Sequence, residues 1–267
     1  MFDCHVHSNF SGDSKMPAEA ACEVALQQGL KGIAFTDHLD YDYPNFDDTF
    51  NIDFEQYSQF MDALKAQYSE KLKVLKGIEV GIQPHVIEAT GKVMEGFSFD
   101  FVIASVHIID KQDPYVGDYF IGKTKEQAYR RYLEEILFAL SNYTNFDIVG
   151  HIGYVRRYGD FSDRSLWYSD YSDILDEILK KVITLGKGIE VNTSGYRSGL
   201  GSPMPNFDIV NRYRELGGEI ICLGSDAHYV EHVGHSFDIA KDLLIQSGFR
   251  YVTHFENRKP VFEKIEE

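Results

Sequence analysis

Cysteine is scarce. Cys4, Cys22 and Cys222 are the only three, odd in number and far apart. That excludes a disulfide framework, and their apolar or helical surroundings read as small core residues. No stretch approaches the roughly 20 apolar residues that a membrane span needs. The N-terminus has neither a basic leading segment nor a long apolar one, so no secretory signal is expected. Positive charge is short as well: 26 Lys and Arg stand against 42 Asp and Glu, for a formal net charge of -16. A phosphate backbone needs a basic surface, so nucleic acid is excluded as a bulk electrostatic partner. A phosphorylated small molecule fits this chain only if metal ions bring positive charge in locally. These absences point to a cytoplasmic protein with no membrane partner.

What is present is a regular alternation of strand and helix patterns. Short apolar runs at 2–6, 32–36, 74–80, 99–106, 146–150, 188–192 and 219–224 read as seven strands. Between them lie helical patterns at 17–30, 54–70, 84–95, 124–140, 171–185 and 206–216, and a last helix at 236–247 precedes a short extended piece at 251–253. Alternating βα units imply a parallel sheet. Seven of them in one chain suggest a closed or nearly closed barrel, with an open doubly wound sheet as the alternative. The length of 267 residues and 43% hydrophobic content suit a single domain over 1–267. No linker or low-complexity segment breaks it.

The chemistry starts at residues 1–13. A strand sends alternate side chains to opposite faces, so His5 and His7 leave one face with Val6 on the other. Two imidazoles so placed are able to hold one metal ion. Alone, the pair says little. Its weight comes from the rest of the chain: His38, Glu79, His107, His151, Asp226 and His228 each stand at or just beyond the end of an apolar run. In a parallel barrel all those ends open on one face, where active sites form. A purely structural core has no reason to put ionisable groups at six strand ends, so the set reads as a metal site.

These residues also carry a resemblance. The N-terminal His5-Val6-His7, Thr36-Asp37-His38, Gly77-Ile78-Glu79, Ser105-Val106-His107, Gly150-His151 and Asp226-Ala227-His228 resemble, in order, the motifs of the polymerase-and-histidinol-phosphatase (PHP) superfamily. The stretches Phe99 to His107, Gly150 to Gly159 and Glu190-Val191-Asn192-Thr193-Ser194 are closest to the stand-alone histidinol-phosphate phosphatases. The resemblance implies a distorted (β/α)7 barrel with a three-metal centre at the C-terminal ends of its strands. Carried over by motif, His5 and His7 hold a first ion with Glu79 and Asp226. Glu79 bridges to a second held by His107 and His151, and Asp13, His38 and His228 hold a third. A lone Asp in a Ser-rich turn, such as Asp13, also has a purely structural reading. The ions would be Zn, Fe or Mn, since mixed His and carboxylate ligands accept all three.

The implied reaction is hydrolysis of L-histidinol phosphate, a phosphate monoester, to L-histidinol and phosphate in histidine biosynthesis. Three divalent ions would offset the acidic chain. A water shared by two of them would ionise near neutral pH and attack phosphorus in line. Arginine suits the phosphoryl oxygens because its planar fork binds oxyanions bidentately; Arg157 and Arg197 lie in loops after site-facing strands, with Arg156 the lesser candidate. Glu79 and Asp226 are the catalytic carboxylates; the sequence does not identify the proton donor to the leaving alkoxide, and Asp226, if it is loosely held, or a metal-bound water would serve. Glu190 and Asn192 orient substrate or ligands, or serve only structure. The acidic, aromatic loops 39–52 (Asp40, Tyr41, Asp42, Tyr43, Asp47, Asp48) and 110–122 (Asp113, Tyr115, Asp118, Tyr119) read either as a lid for a cationic, imidazole-bearing substrate or as a solvated rim. Two rivals stand beside this reading: the same chemistry on another phosphate ester or nucleotide, and a metal-binding regulatory protein without turnover.

Overall fold

The computed structural model describes residues 1–266. Residue 267 and the side chains of Asp47 and Asp48, two acids of the loop 39–52, lie outside the described residues. In chain order the elements are β1 (Phe2–Val6), α1 (Ala18–Gln27), β2 (Gly32–Phe35), β3 (His38–Leu39), α2 (Phe54–Tyr68), β4 (Lys73–Gly81), α3 (Ile87–Gly96), β5 (Phe101–Ser105), α4 (Lys125–Asn142) and β6 (Ile148–Val149). Beyond β6 come α5 (Ser172–Thr184), β7 (Gly188–Asn192), the single turn α6 (Ser194–Arg197), α7 (Phe207–Glu215), β8 (Ile221–Gly224), α8 (Phe237–Gln246), β9 (Tyr251–Glu256) and β10 (Lys259–Lys264).

The strands run β1-β2-β4-β5-β6-β7-β8, every neighbouring pair parallel. After Thr36 and Asp37 the second stave resumes as β3, which pairs with the upper half of β4, His38 opposite Glu79. Closure comes from the segment after β8. Val6 bridges Ala227 in parallel, Asp226 N donates to His5 O at 2.7 Å, and His7 N donates to Ala227 O at 2.9 Å. The seven staves thus form a barrel closed at one end, as the alternation predicts. Its distortions are the break between β2 and β3 and a β6 of only two residues.

Helices cover the outside because each carries one apolar stripe. On α5, Ile174, Leu175, Ile178, Leu179 and Val182 are buried at helical spacing. Thr124 caps α4 in a reciprocal pair with Gln127, a combination that satisfies two otherwise orphaned backbone donors. Inside, Phe2, Cys4, Ala34, Leu75, Phe101, Ile103, Ile148, Cys222 and Phe255 fill the lower half of the barrel. All three cysteines are buried and unbridged.

The extended piece expected at 251–253 is the start of a hairpin. Asn257 and Arg258, both with positive φ (49° and 65°), form its turn, the geometry that matches strand twist. The hairpin closes the barrel floor: His254 stacks on Phe2 at 3.7 Å and Phe255 on Phe101 at 5.2 Å. The barrel is therefore plugged below, and ionisable groups gather above.

Candidate metal centre

All nine predicted ligand positions meet at the C-terminal mouth of the barrel. The first set is His5 Nε2, His7 Nε2, Glu79 Oε2 and Asp226 Oδ1. The two nitrogens are 3.0 Å apart. Glu79 Oε2 lies 3.2 and 3.5 Å from them, and Asp226 Oδ1 3.9 and 3.5 Å. The second set is Glu79 Oε1, His107 Nε2 and His151 Nε2, separated by 3.2, 2.9 and 3.4 Å. The two oxygens of Glu79 therefore face different sets. The third gathers around Asp13 Oδ2, which is 3.6 Å from His38 Nε2 and 3.1 Å from His228 Nε2. Four ligands about 2.1 Å from a tetrahedral ion lie about 3.4 Å from one another, and these spacings bracket that value.

Hydrogen bonding behind the rings tests whether a metal fits. His5 Nδ1 is 2.7 Å from Glu190 Oε1 and must donate to it. His107 Nδ1 likewise donates to Asp40 Oδ1 at 2.8 Å. Ser11 Oγ gives its own proton to Asp37 Oδ1 at 2.8 Å, so it accepts from His7 Nδ1 at 3.0 Å. With Nδ1 carrying a proton in each ring, Nε2 presents a bare lone pair whenever the ring is neutral, as a metal ligand must be. The lone pairs of His5 and His7 then face each other at 3.0 Å, an arrangement that a shared cation satisfies and that two neutral rings alone do not. Acceptors that fix the tautomer in this way are the usual support of metal-bound imidazoles.

The charge balance agrees. Burial disfavours a charged His5, yet Glu190, Glu79 and Asp226 hold its pKa well above the usual value. Burial is likewise overruled at His107, raised to about 9 by Asp40 and Glu79. Glu79 stays well below the carboxylate range despite its burial, because His5, His107 and His38 surround it. The cage is built for positive charge.

Each ligand is placed by local structure. Asp37, buried between β2 and β3, accepts from Ser8 N at 2.6 Å and from Ser8 Oγ, Ser11 N and Ser11 Oγ at 2.8 to 3.1 Å. It thereby pins the turn after His7. Asp226 has φ 55°, a left-handed conformation that costs a non-glycine residue about 1–2 kcal/mol. That kink turns its carboxylate into the mouth while its N–H closes the barrel. Glu190 ties two ligand sets together: besides His5 it accepts from His151 N at 2.8 Å and Asn192 Nδ2 at 3.1 Å.

The three arginines separate. Arg157 donates to Asp226 Oδ2 and Ser194 Oγ, and its buried Nε has no partner. Arg197, at the end of α6, donates to Asp226 O, and its buried Nη1 is also unpartnered. Both therefore keep a donor in reserve beside the ligand cage. Arg156 spends its donors on Arg164 O, Ser202 Oγ and Pro203 O; it holds the loop together and faces away. Asp226 is tightly held, and burial notwithstanding Arg157 and His5 keep its carboxyl well below the usual range. The loose attachment that a proton-donating Asp226 requires is absent.

The cavity over the cage is lined on its far side by Tyr43, Phe50, Tyr154 and Tyr158. The loop residues thus divide. Tyr43 forms part of the wall, its ring tilted against Phe50 at 4.5 Å. Asp40 supports His107. Tyr119 is core, its hydroxyl bonded to Ala128 O at 2.6 Å. His85 pairs with Asp42 at 2.5 Å near the surface.

The PHP domain family matches residues 3–194. The chain belongs to this family. Its PHP barrel brings Asp226 and His228, which lie past the matched stretch, onto the same cage. Over 96% of this chain and 95% of its own length, a histidinol-phosphatase from Lactococcus lactis is 34% identical. A protein of Clostridium acetobutylicum named "Probable histidinol-phosphatase" is 32% identical over 97% and 98%. The crystal structure of the Lactococcus lactis histidinol phosphate phosphatase, in complex with zinc, L-histidinol and phosphate, superposes with a TM-score of 0.92. It shares 33% identity over 97% of this chain and 98% of that one. Divalent metal binding by this PHP protein is supported by that neighbour and by the clustered donors.

Ser11, Ser105 (which donates to Glu79 Oε1 at 2.6 Å), Phe50, Tyr154 and Tyr158 do not stand out as site residues in the sequence, and Asp40 and Tyr43 stand there only as members of an acidic, aromatic loop. A ligand histidine needs an acceptor behind it, which is signal enough to look for carboxylates near each one. Nothing local separates Asp40 from the other acids of its loop.

Proposed function

We propose that the protein is a metal-dependent phosphomonoesterase that hydrolyses histidinol phosphate to histidinol and phosphate. The observation that carries this reading is a cavity with metal-type donors on its floor and Arg157 in its wall, adjoined by a second that shares Arg157, Asp226 and His228 and reaches Arg197, each arginine having an unspent buried donor. The Lactococcus lactis relative, named for this substrate, supports the choice of ester.

We assign three ions to the three donor sets: His5, His7, Glu79 and Asp226; Glu79, His107 and His151; Asp13, His38 and His228. Zn, Fe and Mn all suit these ligands, and the zinc in the Lactococcus lactis structure favours zinc. Bound ions supply the positive charge that a phosphoryl group needs and activate water as the nucleophile. The chain's own residues do the rest. Glu79 spans two sets and fixes their separation. Arg157 and Arg197 offer Nε and Nη1 to the phosphoryl oxygens and neutralise charge that builds in the transition state. Asp226 orients both arginines through its carboxylate and its carbonyl. The tyrosine wall takes the organic part of the ester and keeps water from it. We read residues 1–267 as one domain, since the terminal hairpin is built into the barrel floor. No helix among the described residues is long and apolar enough to cross a membrane, and three unbridged cysteines favour a cytoplasmic setting.

The test is phosphate release by the metal-loaded protein. Histidinol phosphate is turned over far faster than aryl phosphates, and chelation abolishes turnover. Equal rates on many esters would refute the assigned substrate, and no turnover with any of the three metals would favour a regulatory protein.

A further inference from the structure

Ser194 opens α6 and is buried, and the proposed reaction gives it no task. Its hydroxyl sits among three side chains: Asn192 through Oδ1, Arg157 through Nη2 and, at 3.3 Å, Asp226 through Oδ2. A hydroxyl has one proton to give and two lone pairs to receive with. A backbone group fixes which way the Asn192 amide faces. Ser194 N, which can only donate, lies 3.1 Å from Asn192 Oδ1. That atom is therefore the oxygen, and the amino group is turned to Glu190 Oε2 at 3.1 Å. Two separate contacts agree on one orientation. The Ser194 proton then goes to Asn192 Oδ1, and its lone pairs face Arg157, which can only donate.

Arg157, Ser194, Asn192 and Glu190 thus form a buried chain in which every proton points toward the carboxylate that receives His5 Nδ1. Its far end holds Arg157. Nη2 lies between Ser194 Oγ and Asp226 Oδ2, and the guanidinium carbon stands 5.3 Å from the centre of the Tyr154 ring. Nε stays buried and unspent on a side chain that lines both cavities. Asp226 alone is a poor anchor for it. Its other oxygen, Oδ1, belongs to the first proposed donor set, 3.9 Å from His5 Nε2 and 3.5 Å from His7 Nε2, so an ion there pulls on the same carboxylate. Ser194 belongs to no donor set.

We propose that Ser194 is a positioning residue for phosphoryl transfer: it fixes Arg157 through a bond that involves no proposed metal ligand, so that the guanidinium meets the phosphoryl oxygens already aimed. The inference rests on the phosphomonoesterase reading and deepens it. A donor set in place before the reaction stabilises charge in the transition state without reorganising. A guanidinium held by one acceptor still swings about that bond, and freezing it when the ester binds costs rate.

The test is a double-mutant cycle on the metal-loaded full chain, run on the ester that the wild type turns over fastest. Ser194→Ala removes only the hydroxyl oxygen. In the wild-type background it lowers kcat/KM by about tenfold, the loss of one hydrogen bond to a charged group. In the Arg157→Ala background it changes kcat/KM by less than about twofold, because the group it positions is gone. A serine that serves only the fold costs the same factor in both backgrounds. Elemental analysis of each variant finds wild-type metal content. No loss in the wild-type background, equal losses in both, or a loss that tracks metal content overturns the inference and leaves the phosphatase standing; no turnover of any ester by the wild type overturns both.

Discussion

Glu190→Gln is the sharpest probe of the cage, because one side chain serves two ligand sets without belonging to either. Glu190 is fully buried; Oε1 receives the His5 Nδ1 proton at 2.7 Å and Oε2 receives His151 N at 2.8 Å and Asn192 Nδ2 at 3.1 Å. All three neighbours are donors. Glutamine matches glutamate in shape but offers one acceptor oxygen and one amino group. If its oxygen faces His5, its amino group meets two donors; if it faces His151, the amino group meets the His5 proton and drives that ring toward the wrong tautomer. Either way at least one charge-assisted bond is lost, about 1.5–3 kcal/mol for each. Through a metal ligand that is about 10–100-fold in metal affinity. Competition with a chelator of known affinity, read by metal content after equilibrium dialysis, gives the number. Metal retention by Glu190→Gln within about twofold of wild type would refute the tautomer reasoning, and with it the case that the histidine nitrogens face metal ions.

Arg157→Ala removes a donor aimed at the phosphoryl group and should lower kcat/KM by about 10²–10³-fold, with Arg157→Lys in between since it keeps charge but not the fork; steady-state kinetics within about threefold of wild type would contradict the role. Arg156→Ala, its neighbour, should instead destabilise the fold by about 2–3 kcal/mol, having stranded three acceptors, read as a lower urea midpoint. At the barrel floor, burial lowers the pKa of His254 against the opposing pull of Glu256 and Glu263. The folded form therefore binds fewer protons than the unfolded chain, whose histidine titrates near about 6.5, so this contribution to stability is full above that value and is lost as pH falls through it. His254→Gln should flatten the fall in urea midpoint between about pH 8 and pH 5, and an unchanged slope would count against it.

The barrel is legible in the sequence because its staves are short, apolar and bounded by turn residues, and because ionisable groups break the pattern only at their ends. Thr124 with Gln127 announces α4 in the same local way. Features that no local pattern encodes stay hidden. Strand β10 reads Lys-Pro-Val-Phe-Glu-Lys, with a proline and no regular alternation, so nothing but its pairing with β9 marks it. Asp40 looks like one more acid in an acidic loop; only the pairing of β3 with β4 sets it behind His107. Arg156 and Arg157 are adjacent, and what separates a structural guanidinium from a site guanidinium is the short turn at Tyr154–Arg157, which turns one toward Ser202 and the other toward Asp226. The tyrosine wall joins residue 43 to residues 154 and 158, a separation no sequence window connects.

The cage and the closure of the barrel are the same construction. Asp3, at the start of β1, is buried and accepts from Ser225 N at 2.9 Å and Gly234 N at 2.8 Å, and burial still lifts its pKa to about 6. Those bonds grip both ends of the segment that carries Asp226 and His228. Two residues on, the His5 carbonyl accepts from Asp226 N, and His7 N donates to Ala227 O. The first and last staves therefore meet through the residues that flank and include the ligands, and the His5–His7 pair finds its carboxylate partner only when the barrel shuts. A chain whose first and last proposed ligands, His5 and His228, stand at opposite ends of the sequence would assemble its metal site through the seam that completes its fold, and an ion at the proposed first donor set would also act as a clasp on that seam.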